Sequence, residues 1–411
     1  MTTNAFIVPP EVPTQAGPEN VFYDFNDGAR ILLPEGKWHV RIIDDESGNI
    51  LFASDVDSAG WVVSNKKYFV LFRIQVFRQG EKKPFLDETM NLSNRRVLIS
   101  FPVGTLGDIL AWFPYVERFR VAHNCRIECT MAQNLIDILA AQYPDIRFSV
   151  PERVRTLKPY ASWRLGLFFG GNDTHQPIDF RQVGLHRTAG YILGVDTREE
   201  PVRLNLSVPR VIPEPYVCIA VQASSQTKCW NNGTGWSEVV SHLKKLGYRV
   251  LCIDQKAHHG VGFVWNHIPR EAEDFTGDLP LQERINLLAH ACFFIGLGSG
   301  LSWLAWACRI PVVLISGFSL PQCEFYTPWR VFNSHGCNGC WDDTSLNFDH
   351  NDFFWCPRHK DTPRQFECTR LITGTQVIRM IDRLHLSLRK QSDQTAGIPA
   401  NESAGRKMTG E

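Results

Sequence analysis

Two stretches of this chain repeat one pattern: a short apolar run, a glycine-bearing loop, then apolar residues at helical spacing. In the first, Val97-Leu98-Ile99-Ser100-Phe101 leads through Pro102-Val103-Gly104-Thr105-Leu106-Gly107-Asp108 into Ile109, Leu110, Phe113 and Val116. A strand over 126–130, a helix over 132–143 and a strand over 146–150 follow. In the second, an apolar strand at 217–221 precedes a helix capped by Ser237. That helix carries Val239, Val240, Leu243 and Leu246 on one face and stops at Gly247. Strands at 248–253, 293–297 and 311–315 then alternate with helices at 281–291 and 301–308. Short apolar strands separated by helices are satisfied by a parallel sheet buried between helical layers. Two such lobes leave a crevice at the carboxyl ends of their strands, where ligands bind in folds of this kind.

The flanking segments read differently. Residues 1–20 contain Pro9, Pro10, Pro13 and Pro18 and read as a flexible leader. Residues 21–94 are rich in β-branched and aromatic residues around the turn signals Asn26-Asp27-Gly28 and Ser47-Gly48-Asn49, and are expected to form an all-β domain. The first α/β lobe then spans 95–215 and ends in a linker marked by Pro201, Pro209, Pro213 and Pro215. The second spans 216–387 and closes with a helix over 375–386. Residues 388–411 are polar and are expected to be disordered.

Lys plus Arg equals Asp plus Glu, 43 against 43, so no net charge draws the chain to nucleic acid or an anionic membrane. No apolar run is long enough for a membrane span, and the N-terminus lacks a secretory pattern. A cytoplasmic protein is expected, with its 12 cysteines reduced or bound to metal.

Four places carry chemistry. Gly107 and Asp108 stand at a strand-to-helix turn, where helix N–H groups attract anions. Asp108 suits a general base at the mouth of the crevice, and it also suits a helix N-terminus on dipole grounds alone. Lys228, in Ser224-Ser225-Gln226-Thr227-Lys228-Cys229-Trp230, follows an apolar strand and can neutralise a leaving diphosphate; an isolated lysine is otherwise a surface residue. Gly298-Ser299-Gly300 opens another helix and either presents N–H groups to phosphate or makes a turn with positive φ. Finally, Cys337-Asn338-Gly339-Cys340 is followed by Cys356 after 15 residues and Cys368 after 11 more. Four thiolates suit a closed tetrahedral metal site within a finger over 335–370, and spacing alone favours zinc. The competing readings are unrelated thiols, or a site drawing on His335, His350 or His359. Cys218, Cys252, Cys292 and Cys308 read as core residues. Asp55-Val56-Asp57 reads as a turn, and no catalytic divalent cation is expected.

Together, residues 97–120, 224–230 and 293–307 resemble the ADP-heptose-dependent heptosyltransferases. With the β-rich N-terminal region and the late cysteine cluster, the resemblance narrows to the bacterial autotransporter heptosyltransferases and covers about residues 20–385. It implies a GT-B fold, with the acceptor side in the first lobe and the donor side in the second. The implied reaction is inverting transfer of heptose from ADP-heptose to serine hydroxyls of an autotransporter passenger. Asp108 is the base and Lys228 contacts the donor phosphates. Thr105, Leu106, Gly107, Ser224, Gly298, Ser299 and Gly300 belong to the donor site, Asp254 meets the ribose, and Leu279 touches adenine or packs in the core. The resemblance implies one structural iron per chain in place of zinc, and a dodecamer. The lipopolysaccharide enzymes carry Asp-Thr-Gly where this chain has Gly298-Ser299-Gly300, and Trp303 replaces their following histidine. The alternative readings are a lipopolysaccharide-core heptosyltransferase and a non-catalytic assembly module built on the metal knuckle.

Overall fold

The computed structural model describes residues 7–101, 105–154, 157–170 and 173–396, with side chains up to residue 390. The Pro102-Val103-Gly104 part of the first loop lies outside the described residues.

In the first lobe, strands Arg147–Ser149, Arg126–Thr130, Arg96–Ser100 and Ala161–Arg164 lie parallel in that order. Helix Leu106–His123 covers them and buries Ile109, Leu110, Phe113, Val116 and Phe119. The sheet does not stop there. Phe22–Asn26 adds to Ala161–Arg164 in parallel, pairing Phe25 with Ala161, and Arg30–Leu33 and Gly60–Val63 continue it antiparallel. The β-rich region expected as a domain of its own is thus divided. Part extends the lobe sheet, and part forms a separate antiparallel sheet in the order Asn49–Val56, Trp38–Asp44, Phe72–Arg78, Leu86–Thr89. Burial of Trp38, Val40 and Ile42 on one face of that sheet follows the two-residue period of a half-covered strand.

The second lobe is a six-stranded parallel sheet in the order Glu273–Asp274, Arg249–Cys252, Tyr216–Ile219, Phe294–Leu297, Val312–Ile315, Arg330–Val331. Helices Gly235–Lys245 and Gly374–Ala396 pack Val239, Val240, Leu243, Val377, Ile381 and Leu384 against Val217, Ile219, Ile295 and Val313.

Both expected loose ends are partly ordered. Gln15–Ala16 pairs with Phe22–Asn26, and Thr14 donates from its backbone N–H to Asp24 at 3.0 Å. The closing helix runs to Ala396, past the expected start of a tail at 388. Asp382 bonds His242 at 2.7 Å and His385 bonds Tyr248 at 2.8 Å, tying the helix to its neighbours. The rest of that tail, 397–411, lies outside the described residues, as do residues 1–6 of the leader. Among the described residues no helix is long and apolar enough to cross a membrane.

Candidate active site

The lobes meet where two helices begin. A Cβ placed on Gly300 would lie 3.0 Å from Leu106 Cβ and 3.2 Å from Gly107 N, and one on Gly107 would lie 3.0 Å from Trp303 Cδ1. Neither glycine has positive φ. Both are small because two helix N-termini, Leu106–His123 and Gly300–Ala307, approach backbone to backbone. Trp303 fills the space behind Gly107, is buried, and rests on Phe325 at 4.9 Å. Gly298 is also a contact glycine: a Cβ there would collide with the buried carboxylate of Glu324. The turn reading of Gly298 and Gly300, which required positive φ, is therefore set aside.

Beside this crossing lies a cavity of about 670 Å³. Of the residues expected at the donor, Leu106, Ser224, Asp254, Leu279, Ser299 and Gly300 line it. Leu279 is 41% exposed on its wall, which removes the core-packing alternative. Thr105, Gly107 and Gly298 are not among the lining residues. Asp254 is 2% exposed, and both its oxygens are already used. Oδ2 accepts from Val221 N at 2.7 Å and Cys252 Sγ at 3.4 Å, and Oδ1 accepts from Gln222 N at 3.3 Å. Burial still raises its pKa to about 6. Sequence reading missed Arg284, also on the cavity wall. Its Nη2 donates to the Asp254 carbonyl at 3.0 Å and the Gly277 carbonyl at 2.6 Å, while Nη1 is buried without a partner. The available signal was an arginine on the buried face of a helix, next to Ile285 and one turn from Leu288.

Asp108 and Lys228 are not in the cavity lining; they lie close to each other and to His350, each within the others' fields. Thr105 donates to Asp108 Oδ2 twice, from its backbone N–H at 3.1 Å and from Oγ1 at 2.9 Å, leaving Oδ1 without a partner among the described residues. The cap expected on dipole grounds and the free oxygen a base needs thus coexist on one carboxylate. Burial raises the Asp108 pKa, while the Thr105 bonds, Lys228 and His350 pull it back. Lys228 ends the short turn Gln226–Lys228, and burial depresses its pKa against the pull of Asp108 and Glu324. The finger anchors this loop: the Phe353 carbonyl accepts from Gln226 N at 2.9 Å and from Ser225 Oγ at 3.0 Å. Sequence reading weighed His350 only as a metal ligand and did not place it beside Asp108.

The four late cysteines converge. Cys368 lies in the fields of Cys337, Cys340 and Cys356, and these fields add to burial in pushing its thiol to about 12. They do not form a finished cage: among the described residues no group of three or more potential ligands is placed to hold a metal ion. Of the other cysteines, Cys218, Cys252 and Cys308 are buried and Cys292 is half-buried. Asp55 belongs to the strand Asn49–Val56, where it bonds His39 at 2.7 Å, and not to a turn.

Residues 190–341 match glycosyltransferase family 9 (heptosyltransferase), and residues 17–80 match the N-terminal domain of glycosyltransferase TibC. An autotransporter heptosyltransferase of Citrobacter rodentium, BAHTCr, is 74% identical over 389 residues, covering 95% of each chain. Autotransporter heptosyltransferase TibC of Escherichia coli O78:H11 is 74% identical over 386 residues, 94% of this chain and 95% of TibC. The chain belongs to the autotransporter heptosyltransferases. The crystal structure of TibC, described as a dodecameric iron-containing heptosyltransferase in complex with ADP-D-β-D-heptose, superposes with a TM-score of 0.92 at 74% identity. It covers 93% of this chain and 100% of the TibC chain, so the two-lobed GT-B-like architecture is that of the family. This autotransporter heptosyltransferase is thus a glycosyltransferase whose lobe junction carries Asp108 and Lys228. The family also holds BimC of Burkholderia thailandensis, an inactive member 43% identical over 379 residues, 92% of this chain and 88% of BimC.

Proposed function

We propose that this enzyme transfers heptose, with inversion, from ADP-heptose to serine hydroxyls of an autotransporter passenger. The observation that carries the reading is the convergence of Asp108 and Lys228 where a helix N-terminus from each lobe meets the other. A serine hydroxyl is a weak nucleophile and must lose its proton as it attacks. Oδ1 of Asp108, which has no partner among the described residues, takes that proton while the serine oxygen bonds the anomeric carbon. The bond from that carbon to the phosphate oxygen breaks on the opposite face, and ADP leaves with the electron pair. Lys228 and the amides opening helix Gly300–Ala307 stabilise the charge that develops. Leu106, Ser224, Leu279, Ser299 and Gly300 enclose the nucleotide, while Thr105 orients the base and Gly107 admits the close approach of the lobes. Asp254 acts by holding the loop at Val221 and Gln222, and Arg284 offers Nη1 to the nucleotide.

The donor chemistry of the finger fits a metal: four thiols already sharing one electrostatic environment are stabilised as thiolates by a tetrahedral ion. Cys337, Cys340, Cys356 and Cys368 would hold one iron per chain; the iron-containing TibC supports iron as the metal. Bound there, it would supply cross-linking of the finger, and no catalytic divalent cation is required. The same relative supports assembly into a dodecamer; a cytoplasmic site for the reaction is part of the same proposal.

Intact-mass measurement of a passenger co-expressed with this enzyme tests the reading. A heptose-sized increment that depends on ADP-heptose supply is expected. An unmodified passenger, or equal modification by Asp108→Ala, would overturn it.

A further inference from the structure

Lys228 is held in an unusual way for a half-buried cation. Its Nζ lies 5.5 Å from the centroid of Phe318, 5.6 Å from Trp341 and 5.6 Å from Phe348. The three rings form a nearly regular triangle. Phe318 is 5.4 Å from Trp341 and 5.6 Å from Phe348, and Trp341 is 5.4 Å from Phe348. The ammonium caps that triangle. Trp355 packs edge-on against two of these rings, 5.0 Å from Phe348 and 5.9 Å from Phe318. Of the nearby carboxylates, Glu324 is engaged by Arg330, Ser316 and Ser319, and Oδ2 of Asp108 by Thr105. Among the described residues the Lys228 ammonium makes no ion pair or hydrogen bond.

Aromatic faces attract a cation through their quadrupole without accepting its N–H groups as a carboxylate does. A carboxylate partner would neutralise the lysine and compete with an incoming phosphate. Rings fix its position, remove rotamer freedom before the ligand arrives, and leave its donors open. Trp341 and Phe348 belong to the cysteine finger, and Phe318 packs in one apolar cluster with Cys340 and Trp355.

We propose that Phe318, Trp341 and Phe348 form a cage that positions the Lys228 ammonium for the donor diphosphate, which makes the cysteine finger a wall of the donor site. The proposal rests on the reading of Lys228 as the phosphate contact. These rings are positioning residues, since they act through the lysine.

Titration calorimetry on the full-length enzyme tests it with ADP and, as a phosphate-free probe, adenosine. Phe348→Leu and Phe318→Leu are each expected to weaken ADP about fivefold to tenfold, the span of one cation–π contact. Adenosine affinity is expected to stay unchanged, and Phe348→Tyr, which keeps the aromatic face, to bind ADP as wild type does. In turnover the leucine variants should raise KM for ADP-heptose more than they lower kcat. If Lys228→Ala weakens ADP while the leucine variants do not, the cage idea fails and the functional reading stands. Equal loss of ADP and adenosine in the leucine variants would show only general collapse and also overturn the proposal. If wild type and Lys228→Ala bind ADP equally, the functional reading falls and the cage falls with it.

Discussion

The cavity wall holds a buried carboxylate and the lobe junction beside it a half-buried one, and the two are treated in opposite ways. Asp254 has both oxygens bonded by the backbone of its own lobe and by Cys252. Asp108 has one oxygen held by Thr105 and the other without a partner among the described residues, and it shares its surroundings with a cation. Burial raises the pKa of both. The difference lies in what remains to be satisfied. A fully bonded buried charge orders its loop, whereas one with an open oxygen beside an open ammonium is prepared for a substrate that brings both a proton and a negative charge.

The strongest test of this contrast is Asp108→Asn. Asparagine keeps an acceptor oxygen for Thr105 and removes the base. A loss of about 10²–10⁴-fold in kcat is expected with an unchanged melting temperature, the span of a lost general base. Turnover within tenfold of wild type would make Asp108 a capping residue only. Lys228→Ala follows, with an expected loss of about 10²–10³-fold in kcat/KM, comparable to removing one oxyanion donor. If only passenger KM moves, the lysine belongs to the acceptor side instead.

How much of this was legible in the sequence differs between the lobes for a physical reason. In the second lobe each strand pairs with neighbours from the same alternating run, so periodicity alone places Val217, Ile295 and Val313 in one core. In the first, strand Phe22–Asn26 pairs with Ala161–Arg164, far away in the chain. Local pattern cannot show that pairing, and a separate β domain was the natural expectation. The site divides in the same way. Gly107, Asp108, Lys228 and Gly300 stand at strand-to-helix junctions that a sequence marks with glycine and charge. His350, Arg284 and the three rings are ordinary residues in their local context. His350 and the rings acquire meaning only when the finger folds back over the 225–229 loop through the Phe353 carbonyl, and Arg284 only when its helix meets the Asp254 and Gly277 carbonyls.

Gly300→Ala probes the junction itself. The added methyl would sit 3.0 Å from Leu106 Cβ and 3.2 Å from Gly107 N, tighter than ordinary contact, so the two helix starts must part slightly. An activity loss of about tenfold to 10²-fold is expected, because small displacements of catalytic groups are costly. Unchanged turnover would show that the lobes close without this approach.

The smallest effect expected is a change in the pH dependence of stability at Asp254. Its folded pKa, about 6, lies above the ordinary aspartate value of 3.8. Between these values the folded state binds more protons than the unfolded state. The contribution of Asp254 to stability is therefore fully present below the unfolded pKa and is lost as pH rises through about 6. Denaturant titrations of wild type and Asp254→Asn, each at pH 4 and pH 7, isolate that term, since other carboxylates contribute equally to both. The wild type should lose about 2 kcal/mol more than the variant over this range, because each unit of pKa separation is worth about 1.4 kcal/mol. An identical pH dependence in the two proteins would mean that the backbone amides of Val221 and Gln222 already offset the burial of the charge. The contrast with Asp108 would then rest on the open oxygen alone.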